Sequence, residues 1–246
     1  MKNTQNIAPV LKIKDLKKSF GENRVLNGFS MELFEGENLV IMGKSGSGKS
    51  VMIKCLVGLM DPDNGTIEIT GKDIKKLTQQ ELNTLRTEIG FLFQGSALYD
   101  SMTVGENLKF PLRKHENKFK ENDSLVLETL DSVGLKEAVN LMPEELSGGM
   151  KRRVALARAL IMKPKIIIYD EPTTGLDPIT AKEIILLMKD IQQKYKTSSL
   201  IITHDIDCAR VISNRMILLI DGVNYAEGTF KELASATDEK IKAFFK

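Results

Sequence analysis

The segment GKSGSGKS, residues 43–50, sets Gly43, Gly46 and Gly48 among small polar residues and ends on Lys49 and Ser50. It fits G-x-x-x-x-G-K-[ST] and lies between a short apolar run, NLVIM, and a helical pattern, KSVMIKCLVGL. Glycines let a backbone wrap a phosphate chain with its N–H groups turned inward. The stretch Gly43, Lys44, Ser45, Gly46, Ser47, Gly48, Lys49, Ser50 and Val51 is therefore a candidate phosphate cradle. Lys49 would reach the β- and γ-phosphates, and Ser50 would ligate Mg²⁺. A flexible glycine turn would need neither the lysine nor the strand and helix on either side.

A phosphate loop needs a carboxylate to hold Mg²⁺, and IIIYDE supplies one: a buried strand delivers Asp170 at its C-terminal end, where α/β sheets place ligands. Glu171, one residue on, is placed to polarise an attacking water. An acidic pair closing a strand is ordinary by itself and gains this meaning from the phosphate loop before it. His204 in IITHD ends a third apolar strand, at the same sheet edge as Asp170 and Lys49. Such a histidine is either a satisfied structural residue or a contact to the γ-phosphate. Gln94 in FLFQGS also ends an apolar strand and could sense Mg²⁺ or the attacking water.

The stretch ELSGGMKRRVALARAL, residues 145–160, puts Ser147, Gly148 and Gly149 ahead of a basic run and an apolar helix. Unpaired first-turn N–H groups and the helix dipole make such a terminus an anion site. One nucleotide already has its loop at 43–50, so this second anion site makes most sense serving the nucleotide of another subunit. Arg152 and Arg153 read as packing or pairing within the helical region.

These groups need a scaffold, and the hydropathy pattern describes one. VLKIKDLKKSF and GENRVLNGFSMELFEGE alternate as an antiparallel hairpin, and DPDNGTIEITG carries the turn and alternation of another. NLVIMG, KIIIYDEP, SSLIITHD and MILLIDG are short apolar runs typical of buried parallel strands. ITAKEIILLMKDIQQKYK is an amphipathic helix, IDCARVIS a short one, and RKHENKFKENDS (113–124) a solvated loop or helix start. From Gln94 to Leu160 the helical pattern dominates, with LVLETLDSVGL and RVALARALI as its clearest elements. The pattern predicts an α/β fold with a mostly parallel sheet, an antiparallel β subdomain and an inserted helical subdomain.

Composition narrows the setting. The 246 residues suit one large α/β domain, and 42 % apolar with 28 % charged residues reads as globular. The 35 basic and 33 acidic residues leave a net charge of +2, too balanced to point to nucleic acid. Cys55 and Cys208 are far apart in apolar surroundings and read as buried thiols of a reducing compartment. No apolar run approaches the ~20 residues needed to span a bilayer. The first residues carry no secretory pattern, so a cytoplasmic location is expected.

Taken together, the motifs identify the chain as resembling the ATPase subunit of an ABC transporter. Their order is that family's: P-loop (43–50), Q-loop (Gln94), signature LSGGM (146–150), Walker B IIIYDE (166–171), D-loop GLD (175–177) and H-loop His204. The resemblance covers essentially the whole chain. It implies one P-loop NTPase domain of the ABC-ATPase fold, with a core and β subdomain at about 1–93 and 161–246 and a helical signature subdomain at about 94–160. It also implies that Phe20 stacks on adenine, where tyrosine is commoner. ATP and Mg²⁺ are the implied ligands. Two copies would meet head to tail around two ATPs, each signature facing the other's P-loop, at the cytoplasmic face of the inner membrane.

Two departures sharpen the resemblance. Met150 stands where most members have glutamine, and Tyr169 replaces a usual aliphatic. Neither removes a catalytic group, so ATP hydrolysis is expected. Residues 93–115 and 141–160 are similar to ATPases of MCE/Mla-type phospholipid transporters, which implies an integral membrane permease and an MCE-domain substrate-binding protein as partners. Residues 96–110 would then either receive the permease's coupling helix or be only a packed loop and helix. An amino-acid or other small-solute importer is the alternative, against which Met150 counts. A soluble ABC ATPase such as an iron–sulfur assembly factor is a third reading; translation-type relatives carry two ATPase domains, and repair-type relatives long coiled coils.

Overall fold

The computed structural model describes residues 8–113 and 123–245. Most of the polar stretch at 113–124, expected to be a loop or helix start, lies outside them. In chain order the first elements are β1 (Leu11–Phe20), β2 (Asn23–Leu33), β3 (Asn38–Met42), α1 (Lys49–Leu56), β4 (Asn64–Ile69), β5 (Lys72–Asp73) and α2 (Gln79–Arg86). The middle comprises β6 (Ile89–Leu92), α3 (Val104–Arg113), α4 (Asp123–Asp131), α5 (Gly148–Leu160), β7 (Ile166–Asp170) and α6 (Pro178–Tyr195). The remainder is β8 (Ser198–Thr203), α7 (Ile206–Ile212), β9 (Arg215–Ile220), β10 (Val223–Gly228), α8 (Phe230–Ala234) and α9 (Glu239–Lys242). They fall into two compact units, Met1–Arg86 with Ser198–Lys246, and Thr87–Thr197.

In the first unit, β2, β1, β4 and β5 form an antiparallel sheet, and a second set of strands runs in the order β10, β9, β3, β8. β3 is parallel to both β8 and β9, while β10 returns antiparallel along β9. All five residues of β3 and all six of β8 are buried. That burial explains why both read as unbroken apolar or small runs, as strands covered on both faces do. The hairpin of β1 and β2 forms as the alternation predicts. The second predicted hairpin is lopsided: β4 pairs mainly with β1 and meets only the two residues of β5. Arg215, at the start of β9, donates to both carboxylate oxygens of Glu37 at 2.7 and 2.9 Å and to the carbonyl of Glu32 at 2.6 Å. The Glu37 carboxylate holds the guanidinium pKa above its ordinary value, so this cation fixes the entry to β9 against the end of β2.

In the second unit, β6 and β7 run parallel, with Leu92 opposite Tyr169. The α5 helix buries Val154, Ala155, Leu156, Ala157 and Leu160. Its approach to β6 depends on Gly90: a Cβ there would lie 2.6 Å from the carbonyl oxygen of Ala159 and 3.1 Å from Pro164. The turn into α3 is stapled by Asn107, whose amide is fully buried. Asn107 accepts from the Tyr99 amide at 2.8 Å and donates to the carbonyls of Tyr99, Met102 and Thr103 at 3.0 to 3.1 Å.

The glycine contact gives a direct test. Gly90→Ala should lower stability by about 1–3 kcal/mol through overpacking against backbone. Gly95→Ala, where a Cβ meets nothing within 4 Å, should change it by less than about 0.5 kcal/mol. Urea unfolding of the two variants followed by circular dichroism makes the comparison.

Candidate functional site

The first unit carries the P-loop and His204. Met42, the last residue of β3, sits opposite Thr203, the last of β8, so Gly43 and His204 leave neighbouring strands at one C-terminal edge. The loop closes through the Ser47 amide donating to the Lys44 carbonyl at 3.1 Å, and α1 begins with the Met52 amide donating to Gly48 at 2.8 Å. Gly48 has φ 102°, and a Cβ on it would lie 3.0 Å from Leu26 Cδ2 and from the Val25 carbonyl oxygen. Only glycine fits there. No side chain caps α1 at Gly48, the end from which a helix offers its first-turn N–H groups. Lys49 Nζ donates to the carbonyls of Gly43 at 2.5 Å and Lys44 at 3.1 Å. Lys44, Ser45, Gly46 and Ser50 are exposed, and Ser47 and Val51 are half-buried. Backbone amides, one ammonium and a seryl hydroxyl are the donor types a polyphosphate requires.

Two other features belong to this unit. Phe20 closes β1 with its ring 48 % exposed and Lys18 Nζ 5.7 Å from the ring centroid. A cleft of about 770 Å³ runs along the outer side of the loop, edged by Arg24, Lys44 and Lys240 and by Asp221 and Glu239. His204 is exposed, and the residue after it, Asp205, caps α7 by accepting from the Asp207 and Cys208 amides. Cys55 and Cys208 are buried and form no disulfide.

The second unit carries Gln94, Asp170, Glu171 and the signature. Since β6 and β7 are parallel and end opposite one another, Gln94 and the Asp170–Glu171 pair emerge at one edge. Gln94 is exposed; Asp170 is half-buried. Glu171 is 8 % exposed and holds φ 49°, a left-handed conformation uncommon for a residue with a side chain. Thr174 folds back on it: the threonine hydroxyl lies 3.3 Å from Glu171 Oε2, and the Thr174 amide donates to the Glu171 carbonyl at 3.3 Å. Asp177 then caps α6, and its bonds to the Thr180 hydroxyl and amide hold its carboxyl below the usual range.

Ser147 caps α5, accepting from the Met150 amide at 3.2 Å. Gly148 is exposed, and Gly149 lets α5 meet the first turn of α6, because a Cβ there would lie 2.6 Å from Thr180 Cγ2. Both arginines of the basic run act within this unit. Arg153 donates to the Val133 carbonyl at 3.2 Å and to Glu183 at 2.8 Å. Arg152 is 4 % exposed and donates to the carbonyls of Phe93 and Thr174. Its involvement with both loops has no sequence signal, since a basic run ordinarily marks a solvated face. The left-handed Glu171 has none either.

Among the described residues no group of three or more His, Cys, Asp or Glu could hold a metal ion by itself. Also among the described residues, no helix is long and apolar enough to cross a membrane.

Comparison with known proteins agrees with this chemistry. The ABC transporter family matches residues 26–174. The chain is 40 % identical over 234 residues to the methionine import ATP-binding protein MetN of Clostridium tetani, covering 95 % of this chain and 73 % of that one. It is 42 % identical over 211 residues to the probable ribonucleotide transport ATP-binding protein mkl of Mycobacterium leprae, covering 85 % of this chain and 60 % of that one. The dimeric, post-hydrolysis ATP-binding cassette MJ0796 bound to ADP and Pi superposes with a TM-score of 0.78 at 34 % identity, over 89 % of this chain and 98 % of that one. The chain belongs to the ABC transporter family and is one of its ATP-hydrolysing cassettes.

Proposed function

We propose that the chain powers a membrane permease by binding and hydrolysing ATP as a head-to-tail dimer of cassettes on the cytoplasmic face of the membrane. The observation that carries this reading is the uncapped α1 N-terminus beneath the glycine loop, with Lys49 and Ser50 on the same turn. In it, the 43–51 amides and Lys49 hold the phosphates, and Phe20 stacks on the base. Ser50 and Asp170 would hold Mg²⁺, which would supply charge screening for the phosphates when bound. Glu171 takes the proton of the attacking water, while Gln94 and His204 orient that water and the γ-phosphate. Ser147, Gly148 and Gly149 serve the nucleotide of the second copy. The dimeric state of the MJ0796 cassette supports this arrangement. The whole chain then works as one ABC ATPase domain, with 94–160 as its signature region.

Residues 96–110 form the surface offered to the permease, with Tyr99 and Phe110 exposed and their rings 4.7 Å apart. The MetN relative favours an amino-acid or other small-solute importer as the transporter. Met150, in place of the usual glutamine, and the similarity of 93–115 and 141–160 to MCE/Mla-type ATPases favour the second reading, lipid transport with an MCE-domain partner.

Glu171→Gln should lower ATP turnover by at least about 100-fold while ATP still binds. Equal rates in both proteins would remove Glu171 from the chemistry. Ser147→Arg should abolish turnover yet leave ATP binding by the monomer nearly unchanged; loss of monomer binding would assign the signature to its own subunit's nucleotide. The cargo is tested by deleting the gene and measuring uptake of labelled amino acids, methionine first, beside membrane phospholipid distribution. Loss of uptake supports the importer, and normal uptake with altered lipid distribution supports the lipid reading.

A further inference from the structure

Arg152 is a buried cation without a carboxylate: among the described residues its partners are two backbone carbonyls, Phe93 at 2.8 Å from Nη1 and Thr174 at 3.1 Å from Nη2. Its Nε is buried with no hydrogen-bond partner, and desolvation draws the guanidinium pKa down. Taking a charge out of water is costly, and an apolar side chain of similar size would fill this space more cheaply. Two-carbonyl recognition is what the cation gains in return. The planar guanidinium holds its two donors at a fixed spacing, so it sets the separation of the two carbonyls.

Those carbonyls are not arbitrary. Phe93 immediately precedes Gln94, and Thr174 bonds through its hydroxyl and its amide to Glu171. Both loops hold left-handed residues with side chains: Ser96 and Ala97 after Gln94, and Glu171 itself. Strained conformations of this kind persist only where surrounding contacts over-determine them. Arg158, lower on the same helix, adds a bond to the Ala97 carbonyl at 2.8 Å. The helix bearing both arginines starts at the Ser147 cap.

We propose that Arg152 is a positioning residue: its guanidinium fixes Gln94 and Glu171 relative to one another and registers both to the Ser147–Gly149 end of α5. The proposal rests on the roles that the proposed function gives to Gln94 and Glu171. It assigns to Arg152 a share of turnover without contact to nucleotide. Misplacing catalytic groups by about 1 Å costs about 100-fold in rate, whereas binding through the separate glycine loop is little affected.

The test uses the full chain carrying Arg152→Lys, Arg152→Gln and Arg152→Met. Lysine keeps the charge without the fork and cannot bridge both carbonyls; methionine fills the space without the charge. All three should lower kcat by about 10- to 100-fold and leave KM for ATP within about 2-fold. Amide hydrogen exchange at 94–97 and 171–176 should quicken in each by at least about 10-fold relative to β6 and β7. Arg152→Met should melt at or above the wild-type temperature while remaining slow, which separates positioning from stability. Wild-type kcat in Arg152→Lys, or activity lost only in proportion to unfolding, would overturn the proposal. Should Arg152→Met fail to fold, Arg152→Lys and Arg152→Gln decide the matter by the same two readouts. A wild-type protein without ATP turnover would sink the function reading instead, and the exchange measurement would still judge Arg152.

Discussion

A strand covered on both faces has no place for a polar group until it ends. β3, β7 and β8 obey that constraint nearly throughout: their interiors are sealed, and their chemistry begins at Gly43, Asp170 and His204. Parallel alignment then does the sorting, because strands that run together also finish together. Gly43 and His204 emerge from one pair of strands, and Gln94 and Asp170 from another. The functional groups need no long-range search to find company within each unit; the direction of the strands assigns it.

Each strand end gives way to a loop suited to its task. After β3 the loop turns through glycines into a helix that no side chain caps at Gly48. After β7 the chain takes a left-handed step at Glu171 and is caught by Thr174 and by the Asp177 cap of α6. One edge leads into a helix without a side-chain cap, and the other fixes a carboxylate in an uncommon backbone state. The signature end of α5 combines both habits, a capped first turn at Ser147 and a glycine that lets the helix lie against Thr180.

Much of this was readable from residue order because the same residues satisfy fold and chemistry. The runs LVIM and IIIY are apolar since they are buried, and Lys44, Ser45 and Gly46 just beyond the first are polar or small and exposed. Elements that lean on context were hidden. α2 buries only Leu85 along Gln79–Arg86, and β10 has no fully buried residue, so neither leaves a strong period in the sequence. Arg152 was hidden for a sharper reason: it sits between Lys151 and Arg153, and nothing local tells the buried cation of the three from the half-exposed ones. Its partners are carbonyls nearly sixty residues before it and about twenty after it, and backbone oxygens carry no letter in a sequence.

Asn107 divides labour in the segment it staples. By holding one amide and three carbonyls from inside, it fixes the path of residues 99–103 without using their side chains. Ser101 is thereby left exposed, and the exposed ring of Tyr99 is left to pack on Phe110. Substitutions at such outward residues would leave the backbone of the turn held from behind. Evolvability at this surface is a product of one buried amide.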